Sequence, residues 1–257
     1  MGRPVALITG GSRGIGAGIA LEMSKAGYDV AITYNSSKDH AMDVIARVEA
    51  NGVNATVIKA DISKLEDIER LFDELFKVFD HVNVLVNNAG VTRFAPFLNT
   101  TPEMFEELTN TDWRGSFFCA QKAAQNMIDN QIKGTIINIT SNHQYACWPQ
   151  ASVYGPTKAA LNKFTYNAAL ELAPYGIRVV SIAPGYTIVR EPDPARENMI
   201  KTIENRIPLG RFCEPWEVGR ACVFLAGDGS GYITGTCLDM DGGALLPVVP
   251  ENKYINR

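Results

Sequence analysis

Short apolar runs alternate with longer amphipathic stretches along the chain. Seven runs rich in valine and isoleucine are candidate strands, at 5–8, 30–33, 55–59, 84–86, 135–139, 178–182 and 238–240. Between them, apolar positions recur with helical spacing at 16–26, 39–51, 65–79, 117–130, 158–172 and 215–225. Strands that are apolar on both faces and separated by helices indicate a mostly parallel sheet covered on both sides. The pattern predicts an α/β fold in which residues 1–257 form a single doubly wound domain.

One stretch departs from this alternation. Residues 186–194 are irregular and include Pro192 and Pro194. A long loop inside a compact domain often acts as a lid over a site. We therefore predict a substrate lid around residues 186–212.

The first strand leads directly into a glycine-rich turn, T-G-G-S-R-G-I-G over residues 9–16, which opens the first helical stretch. Glycines here permit a tight bend and a close approach of the backbone to a pyrophosphate. The helix N-terminus adds unpaired N–H groups and a partial positive charge. The spacing differs from G-x-G-x-x-G, and no Gly-Lys-Ser/Thr follows as in a Walker sequence. The predicted dinucleotide contacts in this turn are Gly10, Ser12, Arg13, Gly14, Ile15 and Gly16.

Tyr154 and Lys158 form the candidate acid–base pair. They are four positions apart at the start of a helical stretch, so their side chains share one face. A free phenol has a pKa near 10, and a neighbouring ammonium favours its ionised form. Such a tyrosine can take a proton from an alcohol or give one to a ketone. Ser141, which follows the strand at 135–139, can hold the substrate oxygen beside it.

Composition argues against several classes of function. The net charge is −4 and Lys and Arg form no runs, whereas binding nucleic acid or an anionic surface needs clustered cations. No apolar run approaches the roughly 20 residues that span a bilayer, and no signal peptide is apparent. The 5 cysteines show no C-x-x-C spacing, so we predict no disulfide framework and no metal site. Free thiols are typical of a cytoplasmic protein.

Further motifs occur in the order typical of one enzyme family. They are N-N-A-G at 87–90, A-P-G at 183–185, P-L-G-R at 208–211, I-T-G at 233–235 and D-G-G at 241–243. With the glycine turn and the catalytic candidates, the chain resembles the short-chain dehydrogenase/reductase family over nearly its whole length. The resemblance implies a Rossmann-type fold and an NAD(P)(H)-dependent oxidoreductase that interconverts an alcohol and a ketone or aldehyde. It also implies cofactor contacts at Tyr34, Asn35, Ser36, Asp61, Ile62, Asn88, Ala89, Gly90, Tyr154, Lys158, Pro184, Gly185 and Thr187.

Two positions depart from the family pattern. Asp112 stands where the family usually has an asparagine that helps hold a water between the lysine and solvent, and Asn110 is two residues out of register. Since aspartate and asparagine are nearly isosteric, we expect a working variant with Asp112 in the catalytic set. An impaired enzyme or a different relay is the alternative. Val189 stands where a threonine is often found, although Thr187 is near.

The end of the second strand bears on the choice of cofactor. Enzymes that prefer NAD usually carry an acid there to bind the ribose 2′-hydroxyl, but this chain has Tyr34 followed by Asn35 and Ser36. No carboxylate repels a 2′-phosphate, and Arg13 is available to pair with one. We therefore favour NADP(H), with NAD(H) as the alternative.

The substrate is less defined by sequence. The segment after Ser141 is similar to the bacterial glucose 1-dehydrogenase group, which implies a sugar, polyol or similar polar carbonyl compound. His143 and Gln144 are candidates to bind hydroxyls, Trp148 to stack on a ring and Tyr186 to contact the substrate. A 3-oxoacyl-(acyl-carrier-protein) reductase is the alternative enzyme, and a catalytically impaired dinucleotide sensor is a third hypothesis. The family resemblance also implies a homotetramer.

Overall fold

The computed structural model describes residues 2–189, 195 and 197–246. Seven strands form one sheet in the order β3-β2-β1-β4-β5-β6-β7, and every neighbouring pair is parallel. The strands are β1 (Val5–Ile8), β2 (Asp29–Tyr34), β3 (Ala55–Lys59), β4 (Val84–Asn87), β5 (Thr135–Ile139), β6 (Arg178–Pro184) and β7 (Cys237–Met240). The strand order reverses between β1 and β4, which opens a crevice at the carboxyl ends of these strands.

Helices cover both faces of the sheet. They are α1 (Gly14–Lys25), α2 (Lys38–Glu49), α3 (Leu65–Val78), α4 (Pro102–Thr109), α5 (Ser116–Asp129), α6 (Tyr154–Leu172), α7 (Glu197–Glu204) and α8 (Pro215–Ala226). Successive strand residues face opposite layers: Val5 and Leu7 pack in the layer with α3, α5 and α6. Ala6 and Ile8 pack in the layer with α1, α2 and α8. This double burial explains why the strands are continuous apolar runs.

The predicted doubly wound α/β fold with a seven-stranded sheet is confirmed. The predicted bounds of β1, β3 and β5 match those in the structure. Helix α6 begins at Tyr154, so Tyr154 and Lys158 open it as predicted, and Pro156 fits in its first turn. The apolar pattern itself becomes regular only from residue 158.

Besides several short 3₁₀ turns, the sequence did not predict α4, α7 or a π-helical segment, Asn110–Gly115, that joins α4 to α5. Two turns of helix repeat the apolar period too few times to give a strong signal. Helix α7 lies inside the stretch predicted as a lid, while residues 190–194, with Pro192 and Pro194, lie outside the described residues.

Within the described residues, no helix is both long and apolar enough to cross a membrane. In that same part of the chain, His, Cys, Asp and Glu side chains form no group of three that could hold a metal ion.

Candidate active site

The predicted site residues emerge where strands end. The glycine turn follows β1, Tyr34 ends β2, Asp61 follows β3, Asn88 follows β4 and Ser141 follows β5. Because all these strands are parallel, their carboxyl ends share one edge of the sheet. Residues far apart in sequence therefore meet in the crevice.

The glycine turn is held tightly against both neighbouring strands. The N–H of Gly10 donates to Thr33 Oγ1 at 3.0 Å, and Asn88 Nδ2 donates to the carbonyl oxygens of Thr9 and Gly10 at 2.9 and 3.1 Å. Gly10 has a φ of +66°. A Cβ atom on Gly16 would collide with the Gly10 carbonyl oxygen and with Asn88 Nδ2. The side chain of Asn88 thus fixes the turn from β4.

This turn fits a dinucleotide phosphate. The N-cap residue of α1, Arg13, makes no side-chain capping bond, so the first N–H groups of the helix lack a side-chain acceptor. No β-carbon projects from the glycine positions, which lets an anion approach the backbone. The helix N-terminus and the bare turn together fit the predicted phosphate site.

A cavity of about 780 Å³ extends along this edge of the sheet, a size typical of small-molecule sites. It is lined by seventeen of the predicted residues, namely Gly10, Ser12, Arg13, Gly14, Ile15, Gly16, Tyr34, Asn35, Ser36, Asp61, Ile62, Asn88, Ala89, Gly90, Asp112, Tyr154 and Lys158. The glycine turn and the acid–base pair therefore face the same cavity.

Three predicted cofactor contacts, Pro184, Gly185 and Thr187, are not in the lining of this cavity. The Thr187 hydroxyl donates to the Gly185 carbonyl oxygen at 3.2 Å. Val189 lines the cavity instead, and a Cβ atom on Gly14 would lie 3.3 Å from Val189 Cβ. The structure thus brings Val189, not Thr187, against the glycine turn.

Tyr154, Lys158 and Ser141 converge beyond the end of β5. Lys158 is buried; its Nζ donates to the Ile139 carbonyl oxygen at 3.2 Å and lies 5.7 Å from the centre of the Tyr154 ring. The Ser141 hydroxyl accepts a hydrogen bond from the His143 N–H at 3.3 Å. The His143 ring packs edge-on against Tyr154, with 5.2 Å between ring centres. One turn of helix and one strand end thus supply the three catalytic candidates.

Asp112 lies on the π-helical segment and contacts Lys158 directly. Its Oδ2 is 3.1 Å from Lys158 Nζ, and its Oδ1 accepts from the Val91 N–H at 2.8 Å. Asp112 therefore lies beside the lysine, as expected, and forms a direct ion pair with it. Burial raises the pKa of the Asp112 carboxyl, and Lys158 offsets part of this effect. Burial lowers the pKa of Lys158, but Asp112 and Tyr154 together raise it above its usual range.

Aromatic rings line the substrate side of Tyr154. His143 stacks on Trp148 with 3.9 Å between ring centres and an interplanar angle of 12°. Phe94 stacks on His143 at 5.8 Å and meets Tyr154 edge-on at 6.0 Å. Trp148 Nε1 donates to the Tyr186 hydroxyl at 3.4 Å. Phe94 was not predicted from the sequence, because it lies in a loop with no periodic pattern and reaches the site only through the fold.

The candidate substrate residues do not all point towards Tyr154. Burial lowers the pKa of His143, so its ring is neutral at neutral pH. Gln144 Nε2 donates to Cys237 Sγ at 3.3 Å, which turns this end of the side chain towards β7. His143, Trp148 and Tyr186 are thus brought together near Tyr154, and Gln144 is directed partly away.

Comparison with known proteins adds to this geometry. A family model described as enoyl-(acyl carrier protein) reductase matches residues 10–244. The chain belongs to the short-chain dehydrogenase/reductase family. This dehydrogenase/reductase is 36% identical over 241 residues to the 3-oxoacyl-[acyl-carrier-protein] reductase of Staphylococcus epidermidis, covering 94% of this chain and 98% of the relative.

Two further similarities broaden the comparison. The L-rhamnose 1-dehydrogenase (NADP(+)) of Thermoplasma acidophilum is 35% identical over 243 residues, with 94% of this chain and 96% of the relative covered. The crystal structure of acetoin dehydrogenase YohF from Salmonella typhimurium superposes with a TM-score of 0.88 at 34% identity. That match covers 95% of this chain and 96% of the other. The dehydrogenase/reductase is thus an oxidoreductase acting on CH–OH groups, and its family uses NAD(P).

The site residues divide the chemistry among them. When bound, the nicotinamide supplies or accepts the hydride. Ser141 is the candidate to hold the substrate oxygen, and Tyr154 is the candidate to give a proton to that oxygen or take one from it. Lys158 is the candidate to supply a positive charge beside Tyr154.

Replacing Tyr154 with phenylalanine tests the acid–base assignment. We expect Tyr154→Phe to retain cofactor binding, measured by quenching of protein fluorescence, and to lower kcat by about 10²–10⁴-fold. The reason is that the ring and its packing remain while the titrating hydroxyl is lost. Tyr166→Phe, on the same helix, is the matched control and should keep its activity. Activity of Tyr154→Phe within a factor of two of the wild type would contradict the assignment.

Proposed function

We propose that this protein is an NADP(H)-preferring dehydrogenase/reductase of a small carbonyl compound that carries several hydroxyl groups, such as a sugar or polyol. The observation that carries the substrate assignment is a set of unpaired polar atoms immediately beside the catalytic serine. The cofactor assignment rests on the charges around the end of β2.

The residues at the end of β2, where the ribose of the cofactor would lie, favour a 2′-phosphate on that ribose. Gly11 N–H donates to the Thr33 carbonyl oxygen at 2.9 Å, so the glycine turn that carries Arg13 is tied to the end of β2. Arg13, Tyr34 and Ser36 line the same cavity. Among the described residues Arg13 has no ion pair, which leaves its guanidinium available to a 2′-phosphate.

The next helix adds to this preference. Helix α2 begins at Lys38, and its N-cap residue Ser37 makes no side-chain capping bond. A phosphate on the ribose near Ser36 and Ser37 would approach hydroxyl groups and the N-terminal end of a helix, both of which favour an anion. NAD(H) lacks this group and would gain none of these contacts.

Three consecutive side chains after Ser141 support a hydroxylated substrate. Asn142 Nδ2, His143 Nδ1 and Gln144 Oε1 are all buried, and none has a hydrogen-bond partner in the structure. A buried polar atom without a partner is costly, so such atoms usually pair with water or a ligand. Substrate hydroxyls near Ser141 would pair with donors and acceptors of this kind.

The aromatic side chains fit the same class of substrate. The stacked rings of Phe94, His143 and Trp148 supply apolar surface next to these polar atoms, which suits the mixed surface of a sugar or short polyol. The relatives named L-rhamnose 1-dehydrogenase and acetoin dehydrogenase act, by their names, on small hydroxylated compounds, which adds support.

A second candidate is reduction of a 3-oxoacyl thioester. It is favoured by the 36% identity to the 3-oxoacyl-[acyl-carrier-protein] reductase of Staphylococcus epidermidis. A panel of sugars, polyols, hydroxyketones and a 3-oxoacyl thioester, followed at 340 nm with NADP(H) and NAD(H), separates the two. Turnover of the thioester with none of the hydroxylated compounds would replace our proposal. The intact Ser141, Tyr154 and Lys158 argue against a sensor without catalysis.

Assembly, location and the lid complete the proposal. Apolar side chains are exposed on α4, the π-helical segment, α5 and α6, namely Phe105, Trp113, Phe117 and Leu170. Their exposure is consistent with burial in a homotetramer, which sedimentation equilibrium would test. We propose a cytoplasmic location and a substrate lid formed by the stretch 186–212, whose Val189 already contacts the glycine turn.

Cofactor preference can be reversed at the end of β2. Tyr34→Asp is expected to lower kcat/KM for NADP(H) and raise it for NAD(H), because a carboxylate repels the 2′-phosphate and accepts a bond from a 2′-hydroxyl. Tyr34→Phe is the control, since it adds no charge. Steady-state kinetics with both cofactors measure the change. A wild type with the higher kcat/KM for NAD(H) would show that the assignment is wrong.

The polar edge of His143 is tested by two substitutions. His143→Ala removes the ring, and His143→Phe keeps a stacking ring between Trp148 and Phe94 but lacks Nδ1. If Nδ1 binds a substrate hydroxyl, both variants should raise KM for the hydroxylated substrate by roughly 5–30-fold, with KM for the cofactor unchanged. A rise in His143→Ala alone would mean that the ring acts through packing.

A further inference from the structure

We propose that Asp112 is a positioning residue that neutralises the charge of Lys158 and thereby keeps Tyr154 protonated to higher pH. The site then holds its proton donor ready over the neutral range, and proton removal by Tyr154 becomes effective only in more alkaline solution. The inference rests on the proposed role of Tyr154 as the acid–base group, but not on the identity of the substrate.

The ion pair is built by elements from different parts of the fold. Asp112 is fully buried, and Lys158 is exposed by only 5%. The π-helical segment Asn110–Gly115 positions Asp112, and Gly115 in that segment packs so closely against the Ile62 carbonyl that a β-carbon would collide with it. The bond from the Val91 N–H to Oδ1 leaves Oδ2 directed at the ammonium. The geometry holds the carboxylate in direct contact with the lysine.

The distances from Lys158 Nζ show that the Asp112 carboxylate is a much closer neighbour than the Tyr154 ring. The carboxylate Oδ2 is 3.1 Å from Nζ, whereas Nζ is 5.7 Å from the centre of the Tyr154 ring. An isolated ammonium next to a phenol favours the phenolate. With the carboxylate in contact, the pair has no net charge, and its attraction for a phenolate is much reduced.

Other charged groups around the pair do not supply the missing positive charge. His143 is neutral at neutral pH, because burial lowers its pKa. Arg93 and Glu107, which line the same cavity, pair with each other at 3.0 Å. Arg114, on the π-helical segment, is exposed and donates to the Ser63 carbonyl oxygen. Within the part of the chain that the structure describes, the net charge close to Tyr154 therefore depends on Asp112 and Lys158.

Removing the negative charge of Asp112 should lower the pH at which Tyr154 loses its proton. Tyr154, Lys158 and Asp112 titrate as one coupled set, and a set with one negative charge fewer loses its first proton at lower pH. Asp112→Asn keeps the size of the side chain and an oxygen for the Val91 N–H. It also mimics a protonated carboxyl, so it changes nothing if Asp112 is already neutral in the wild type.

The experiment follows Tyr154 directly and needs no substrate. Phenolate absorbance is titrated between about pH 6 and 11 for the wild type, Asp112→Asn and Asp112→Glu, and the curve of the same protein carrying Tyr154→Phe is subtracted from each. We expect the midpoint for Tyr154 to fall by about one pH unit or more in Asp112→Asn. Asp112→Glu, which keeps the charge, should stay within a few tenths of a unit of the wild type.

A second neutral variant and a kinetic readout complete the test. Asp112→Ser serves if Asp112→Asn does not fold by circular dichroism, and its midpoint should fall in the same way. In turnover, the alkaline rise of kcat/KM for alcohol oxidation should move down with the titration midpoint. Equal midpoints in the wild type and the neutral variants, or a shift upwards, would overturn the proposal. If no hydroxylated substrate is turned over but the midpoint falls, the proposed substrate class fails and the inference about Asp112 stands.

Discussion

Burial of the sheet on both faces is the constraint on which the rest of this structure depends. Because helices cover both sides, the strands expose functional groups only where they end. Parallel pairing brings the carboxyl ends to one edge, and the reversal of strand order between β1 and β4 opens the crevice there. The glycine turn, the end of β2 and the catalytic segment after β5 are neighbours for this reason alone.

At that edge of the sheet, the main buried charge is the ammonium group of Lys158. Lys158 has the Ile139 carbonyl oxygen and the Asp112 carboxylate as its polar contacts. A buried ammonium without such partners tends to lose its proton, which would deprive Tyr154 of a positive neighbour. The carboxylate preserves the charge of the lysine and at the same time weakens its field at the tyrosine. One contact thus preserves the charge of Lys158 and restrains its effect on Tyr154.

The two ends of the site have different chemistry. The glycine turn offers bare backbone and a cation, as an anionic dinucleotide needs, and Val189 packs against it. Near Tyr154, rings from Phe94, His143 and Trp148 pack together, while buried polar atoms beside Ser141 lack partners. This contrast is the basis for assigning the first end to the cofactor and the second to a small hydroxylated substrate.

Much of this was already determined by the sequence. The apolar runs predicted the parallel sheet, because the local period of apolar residues is visible without knowledge of distant contacts. The ordered motifs around Gly10, Tyr154 and Lys158 indicated a dinucleotide oxidoreductase through their resemblance to a known family. Only the tertiary structure decided that Asp112 touches Lys158 directly, that Phe94 packs against Tyr154 and that Val189, instead of Thr187, meets the glycine turn. Each of these contacts joins segments with no local pattern in common. Their geometry follows from how loops and a π-helical segment pack on the finished sheet, and a linear sequence does not display that packing.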